Sequence, residues 1–223
     1  MRLRLRQFRP RTGPHEHRVV QPSEPLSRIS LSAPEPIGAL FGDQQGLSLL
    51  SGLFSFAAYS RHAIVHVPLR ASPRPEEGFG TPVDLVLVHH TLGLRAAKWP
   101  ALRRKLVRGT PLTAGTDEAR TARDAARWAE RERRAGFRDQ VRHATHAGAF
   151  FLFGNREAFA AAAAGLAEAA DRGPRQKGVA QGRSALMTSL PALVQPPGGG
   201  HDLEVLVLFK PCPSHAPCAR PGS

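Results

Sequence analysis

The sequence predicts an α/β or α+β fold. A single sheet of about four strands, covered by helices, makes one domain over 37–210. A disordered basic, Pro-rich arm (1–36) precedes it and a disordered Pro-rich tail (211–223) follows. Three observations carry this. Short runs of strand length are almost uniformly apolar, as expected of strands covered on both faces. Segments with apolar residues at helical spacing separate them. Pro10, Pro14, Pro22, Pro25, Pro34 and Pro36 crowd the start of the chain with little apolar periodicity, a composition that resists a packed core.

Each element has its own signal. Leu47, Leu50, Leu53, Phe54 and Ala57 fall on one helical face, and Asp43 before them can cap an orphan backbone N–H. His62–Leu69 is a strand that Pro68 stops, since proline cannot donate to the ladder. Residues 71–82 contain Pro73, Pro75, Gly78 and Gly80 and form a loop. Val83–His89 is the second strand. A turn at Gly93 leads to a short helix with Pro100 in its first turn, Leu102 and Leu106 as its buried pair and Gly109 as its stop. Thr116 caps a long helix running to about His146, with Asp117 and Glu118 placed against its N-terminal dipole. Gly148–Phe153 is the third strand. Asn155 caps the Ala-rich helix Arg156–Asp171, which Gly173-Pro174 ends. Leu186, Leu190 and Leu193 suggest another short helix, and Leu203–Phe209 is the last strand.

Lys and Arg total 31 against 18 acids, a formal charge of +13 in 223 residues. Only Lys98, Lys105, Lys177 and Lys210 are lysines. Arginine stays charged at physiological pH and its planar fork fits phosphate. A GC-rich genome, viral genomes among them, would favour Arg over Lys without regard to function. It would not create an excess of base over acid. That excess attracts polyanions, and nucleic acid or a ribonucleoprotein is the expected partner.

The charge is uneven. In the N-terminal arm Arg2, Arg4, Arg6, Arg9 and Arg11 precede any acid. Such a start suits a binding arm or a mitochondrial transit peptide, but its alternation of Arg and Leu makes a poor helical face. A second cluster holds Arg95, Lys98, Arg103, Arg104, Lys105 and Arg108 with no acid among them. Trp99 lies inside it, and an aromatic ring among cations can stack on a base. A third patch is Arg172, Arg175, Lys177 and Arg183, in a Gly-containing loop and weakened by the adjacent Asp171.

Other constellations point to less. His62 and His66 are four apart, but on a strand that separates them by roughly 13 Å. His90 ends a strand, where open α/β sheets place ligands, yet no nucleophile stands at a recognisable spacing. His143 and His146 suit a cationic helix end. Cys212, His215 and Cys218 sit among prolines and fall short of a four-ligand zinc pattern. No phosphate-binding glycine loop is present, so neither a cofactor nor a metal is expected. Two cysteines confined to the tail fit a reducing intracellular compartment, nucleus or mitochondrial matrix. No apolar run reaches the ~18 residues of a membrane span.

VLVHHTLGLRAAKWPALRRKL and the later AGAFFLFGNREAFAAAAAGLAEAAD resemble the two strand–helix units of the large-subunit ribosomal stalk-base family. The resemblance covers under half of the chain. An Arg/Glu-rich helix stands where that family has a basic strand, so no site residue carries over.

The expected function is therefore non-enzymatic binding of nucleic acid or a ribonucleoprotein through Arg-rich patches. The alternative is a protein-interaction, assembly or regulatory factor using the Trp128-bearing helix 116–146. An enzyme built on His90 is a third reading.

Overall fold

The computed structural model describes residues 1–73, 80–134, 141–190, 193–194 and 203–211. The chain runs β1 (Arg2–Phe8), β2 (Arg11–Thr12), β3 (His15–Glu16), β4 (Arg18–Pro22), β5 (Ile29–Leu31), β6 (Ile37–Gly42), α1 (Gln44–Tyr59), β7 (Ala63–Val67) and β8 (Asp84–His89). It continues with α2 (Trp99–Arg103), β9 (Thr110–Gly115), α3 (Glu118–Glu132), β10 (Val141–His146), β11 (Ala149–Gly154), α4 (Arg156–Arg172), β12 (Ala185–Ser189), β13 (Leu193–Val194) and β14 (Glu204–Phe209).

The fold is α+β, and the expected single four-stranded sheet is overturned. The main sheet has eight strands in the order β13-β10-β11-β8-β7-β4-β1-β9. It is mixed: β8 pairs parallel with β11 and β4 with β7, while β7–β8, β10–β11, β1–β4 and β1–β9 are antiparallel. A second sheet has the order β12-β14-β6-β5, and β2–β3 is a separate hairpin. The last apolar strand, β14, thus belongs to a different sheet from β7, β8 and β11.

The largest correction concerns the arm. Residues 1–36 are not a disordered tail; they contribute β1 to β5. The alternation of Arg and Leu is the period-two signature of a half-buried strand. Leu3 and Leu5 are fully buried while Arg2, Arg4 and Arg6 are exposed. Pro10 and Pro14 flank the short strands of the hairpin, and Pro22 ends β4.

The helix expected over 116–146 is also shorter. Asp117, not Thr116, is the N-cap; its side chain accepts from the Arg120 backbone N–H at 2.9 Å. α3 stops at Glu132, and Val141 and His143 return as alternately buried residues of β10. Leu186 lies on β12, which pairs antiparallel with β14, rather than on a helix. Gly136, Cys212, His215 and Cys218 lie outside the described residues.

Two apolar layers flank the main sheet. On one face Leu3, Leu5, Val65, Leu87 and Phe150 pack beneath α1, α3 and α4. On the other, Ile64, Val86, Val88 and Phe151 meet Trp99 and Leu102, carried by the segment that follows β8. Capping fixes the helix starts over the first face. Asp43 accepts from Gly46 N–H and Asn155 from Ala158 N–H, both at 2.8 Å, each contributing about 1 kcal/mol. Among the described residues no helix is long and apolar enough to cross a membrane.

Candidate nucleic-acid interface

The second face of the main sheet is covered over only part of its width. Trp99 and Leu102 lie against β7, β8 and β11. Towards the β1–β9 edge Pro111, Thr113 and Gly115 are exposed, as are Arg2, Arg4 and Arg6. Alternation along β1 puts these three arginines in one row at steps of ~7 Å, near the spacing of phosphates along an extended strand of nucleic acid. Arg4 lies opposite Thr113, and Arg6 is flanked by Pro111 on β9 and Gln21 on β4. Among the described residues none of the three pairs with an acid.

Folding brings the second cluster to this row. α2 and the turn after it lead directly into β9, the strand paired with β1. Lys105 Nζ donates to the Arg11 carbonyl at 2.7 Å. A side chain at Gly109 would reach the ring of Phe8 at 2.6 Å. Arg95, Lys98, Arg104 and Arg108 are exposed and without an acidic partner among the described residues. Arg108 also holds a positive φ of 54°, a left-handed conformation costing a residue with a side chain roughly 1–2 kcal/mol.

Not every cation in the two clusters is free. Arg9 and Arg11 share Glu16, at 3.0 and 3.3 Å. The same pair holds the Glu16 carboxyl below the usual carboxylate range. Arg103 points inward to Asp84, with 3.8 Å between Nη1 and Oδ2. Trp99 is fully buried. It meets His66 and Phe151 edge-on, at centroid distances of 4.9 and 6.0 Å. It anchors α2 to the sheet and presents no face on which a base can stack. Arg175 and Lys177 are exposed beyond the end of α4, a helix on the opposite side of the sheet, so they do not join the row. Arg175 is paired with Asp171 at 3.4 Å.

Beside the row, across β4, β7 and β8, runs a buried polar network that local sequence reasoning missed. Gln21 Nε2 is 2.6 Å from His66 Nδ1, and His66 Nε2 is 3.5 Å from Asp84 Oδ2. Asp84 Oδ1 accepts from the Arg70 backbone N–H at 3.0 Å, with the Arg70 guanidinium 3.7 Å from Oδ2. Burial pushes the Asp84 carboxyl up, but the His66 and Arg70 contacts outweigh it and hold the group below its ordinary value. Burial lowers His66, against the opposing pull of Asp84. A His–Asp pair could orient a base, but its third member is the amide of Gln21, which is no nucleophile. The available signal was a charged residue opening an otherwise apolar strand.

The remaining histidines are scattered. His62 is exposed while His66 is buried. His143 is buried and stacks on Phe150, with ring centroids 6.1 Å apart, whereas His146 is exposed. His90 is exposed beside His89, at a centroid distance of 4.6 Å. Among the described residues no group of three or more His, Cys, Asp or Glu side chains could hold a metal ion.

Comparison of the chain with protein-family models, with curated proteins and with solved structures finds no match, and the stalk-base resemblance gains no support there.

Proposed function

We propose that the protein binds nucleic acid through the phosphate backbone, on the open part of the second sheet face. One observation carries the reading: two basic segments separated by some ninety residues of sequence become neighbours through the β1–β9 pairing. The row Arg2, Arg4 and Arg6 and the exposed Arg104 and Arg108 then make one surface, and among the described residues none of these five arginines pairs with a carboxylate. The left-handed Arg108 supports it, because a local conformational rule is broken where a cation is presented. Trp99 being buried, the surface offers cations rather than stacking rings, so contacts fall on phosphates and discriminate sequence weakly.

The test is the salt dependence of binding to a labelled oligonucleotide. Removing one phosphate-binding cation lowers the slope of log K against log salt by about 0.7 for a single strand or 0.9 for a duplex. The R2Q/R4Q/R6Q variant should therefore bind more weakly, with a slope reduced by about 2–3. The R175Q/K177Q variant should match the wild type. Binding indifferent to salt, or a triple variant with unchanged slope, refutes the proposal.

A further inference from the structure

The first face of the sheet ends in a second basic feature, a cleft of about 580 Å³. Its walls come from five parts of the chain. Arg18 begins β4, Arg61 and His62 follow α1, His89 ends β8, Arg120 lies in the first turn of α3 and Arg156 opens α4. β8 and β11 run parallel, and both deliver their C-terminal ends here. In open sheets those ends are the usual place for a ligand. The volume lies within the ~300–1,000 Å³ typical of small-molecule sites.

The arginines are held by one edge or face. Arg18 Nε donates to Gln7 Oε1 at 2.7 Å, and Arg61 Nε donates to His62 Nε2 at 2.9 Å. Arg156 Nε lies 3.3 Å from the buried Asp124 Oδ2. The Arg120 guanidinium stacks over the Tyr59 ring at 4.3 Å, and Tyr59 Oη donates to that same Asp124 at 3.0 Å. For Arg18, Arg61 and Arg120, holding the guanidinium through Nε or through its plane leaves the terminal nitrogens as a fork, the geometry that grips phosphate bidentately; Arg156 Nη2 in addition lies 3.8 Å from Glu157 Oε1. Among the described residues the cleft wall has no acid of its own. Asp124 lies behind it, 5% exposed and also paired with Arg127. Burial above all, then His90, Arg61 and His62, push His89 below its ordinary value.

We infer that this cleft is a binding site for a phosphomonoester, gripped by Arg18, Arg61, Arg120 and Arg156. A phosphate carries close to two negative charges and three acceptor oxygens, which several converging forks can share. The concave shape suits a compact phosphate group, free or at the end of a chain, rather than the run of phosphates that suits the β1 row. The cleft opens on the other face from that row, so this site neither needs nor implies binding there.

The test is calorimetric titration of the full chain at low salt with inorganic phosphate, uridine 5′-monophosphate and uridine. The two phosphates should bind saturably, the monophosphate with Kd tighter than about 1 mM, and uridine should not bind. Arg61→Gln and Arg120→Gln remove exposed side chains, so the fold should survive, as an unchanged melting temperature would show. Each should weaken the monophosphate about tenfold or more, the effect of removing one charge-assisted hydrogen bond. Arg175→Gln, exposed beyond the far end of α4 and part of neither surface, should leave it unchanged. Comparing 5′-phosphorylated with 5′-hydroxyl oligonucleotide in the R2Q/R4Q/R6Q background then separates a nucleic-acid end from a free metabolite as the source. No saturable phosphate binding, equal binding of uridine, or full affinity in Arg61→Gln and Arg120→Gln overturns the inference.

Discussion

Replacing Asp84 by Ala tests whether the buried network holds the second sheet face together. The carboxylate is 3% exposed at its side chain. Its removal leaves the partly buried Arg70 backbone N–H without its charged acceptor, a loss of about 1–2 kcal/mol. The two guanidinium groups at 3.7 and 3.8 Å are each 38% exposed, so water screens them and each pair contributes only about 0.5–1 kcal/mol. Freedom from burying a charge offsets part of this. The expected net loss is about 1–3 kcal/mol, which for a chain of this size lowers Tm by roughly 2–12 °C. Asp84→Asn keeps an oxygen for the Arg70 N–H and should cost about half as much, mostly through the missing charge. The pH dependence has a definite sign. The folded pKa lies below the ordinary value of 3.8, so the contribution is complete above the unfolded pKa and is lost as pH falls through the folded one. The variant should therefore lose less stability than the wild type on acidification below about pH 4. Urea unfolding followed by circular dichroism at pH 7 and pH 3 measures both effects. An Asp84→Ala protein as stable as wild type to within about 0.5 kcal/mol, or one with an unchanged acid limb, would refute the reasoning.

Two further outcomes are expected. Gly173 is buried, and a methyl group there would stand 2.1 Å from the Phe209 ring; Gly173→Ala should cost about 1–3 kcal/mol by overpacking. Gly13→Ala should cost only about 1 kcal/mol for its positive φ, since nothing lies near it, and denaturant midpoints compare the two. His66 lies below its ordinary 6.5 when folded, chiefly through burial, so the unfolded chain takes up more protons as pH falls through 6.5 and stability drops in that window. His66→Gln should flatten the fall in Tm between pH 7.5 and 5.5, and an equally steep fall in the variant would locate the titration elsewhere.

Local signals made the central elements legible. β7, β8 and β11 are largely apolar because both of their faces are covered, and Asp43 and Asn155 announce their helices through chemistry within three residues. What failed was inference from composition across a half-open sheet. β1 buries only Leu3, Leu5 and Phe8, and its other residues mimic the polarity of a tail. β9 carries Pro111 and two glycine neighbours because it is an edge strand, where a missing donor costs little. The 116–146 region misled for a different reason. Its charged residues satisfy helical spacing as far as Glu132, and the change to period two in Val141 and His143 is too short to outweigh them. The site was legible in residue type but not in grouping. Pairing between residues a hundred apart decides which arginines become neighbours, and nothing local encodes it. The cleft is the extreme case, since its four arginines come from four separate parts of the chain.

The fold sorts the basic surplus into two kinds, and this bears on whether it reflects codon usage. Many arginines are absorbed by carboxylates: Arg28 by Asp43, Arg103 by Asp84, Arg131 by Glu157 and Arg9 with Arg11 by Glu16. Codon drift from Lys to Arg would place the unabsorbed cations at random over the surface. Instead, Arg2, Arg4 and Arg6 stand on alternate positions of one strand, and Arg18, Arg61 and Arg120 converge on one cleft with Arg156, which Asp124 and Glu157 partly balance. An arginine facing solvent at such a position gains nothing in stability from its charge and repels its neighbours, so selection for folding alone would dilute these rows with acids. Such grouping, on both faces of the sheet, is what the two proposals above require: a run of phosphates on the β1 face and a single phosphate group in the cleft.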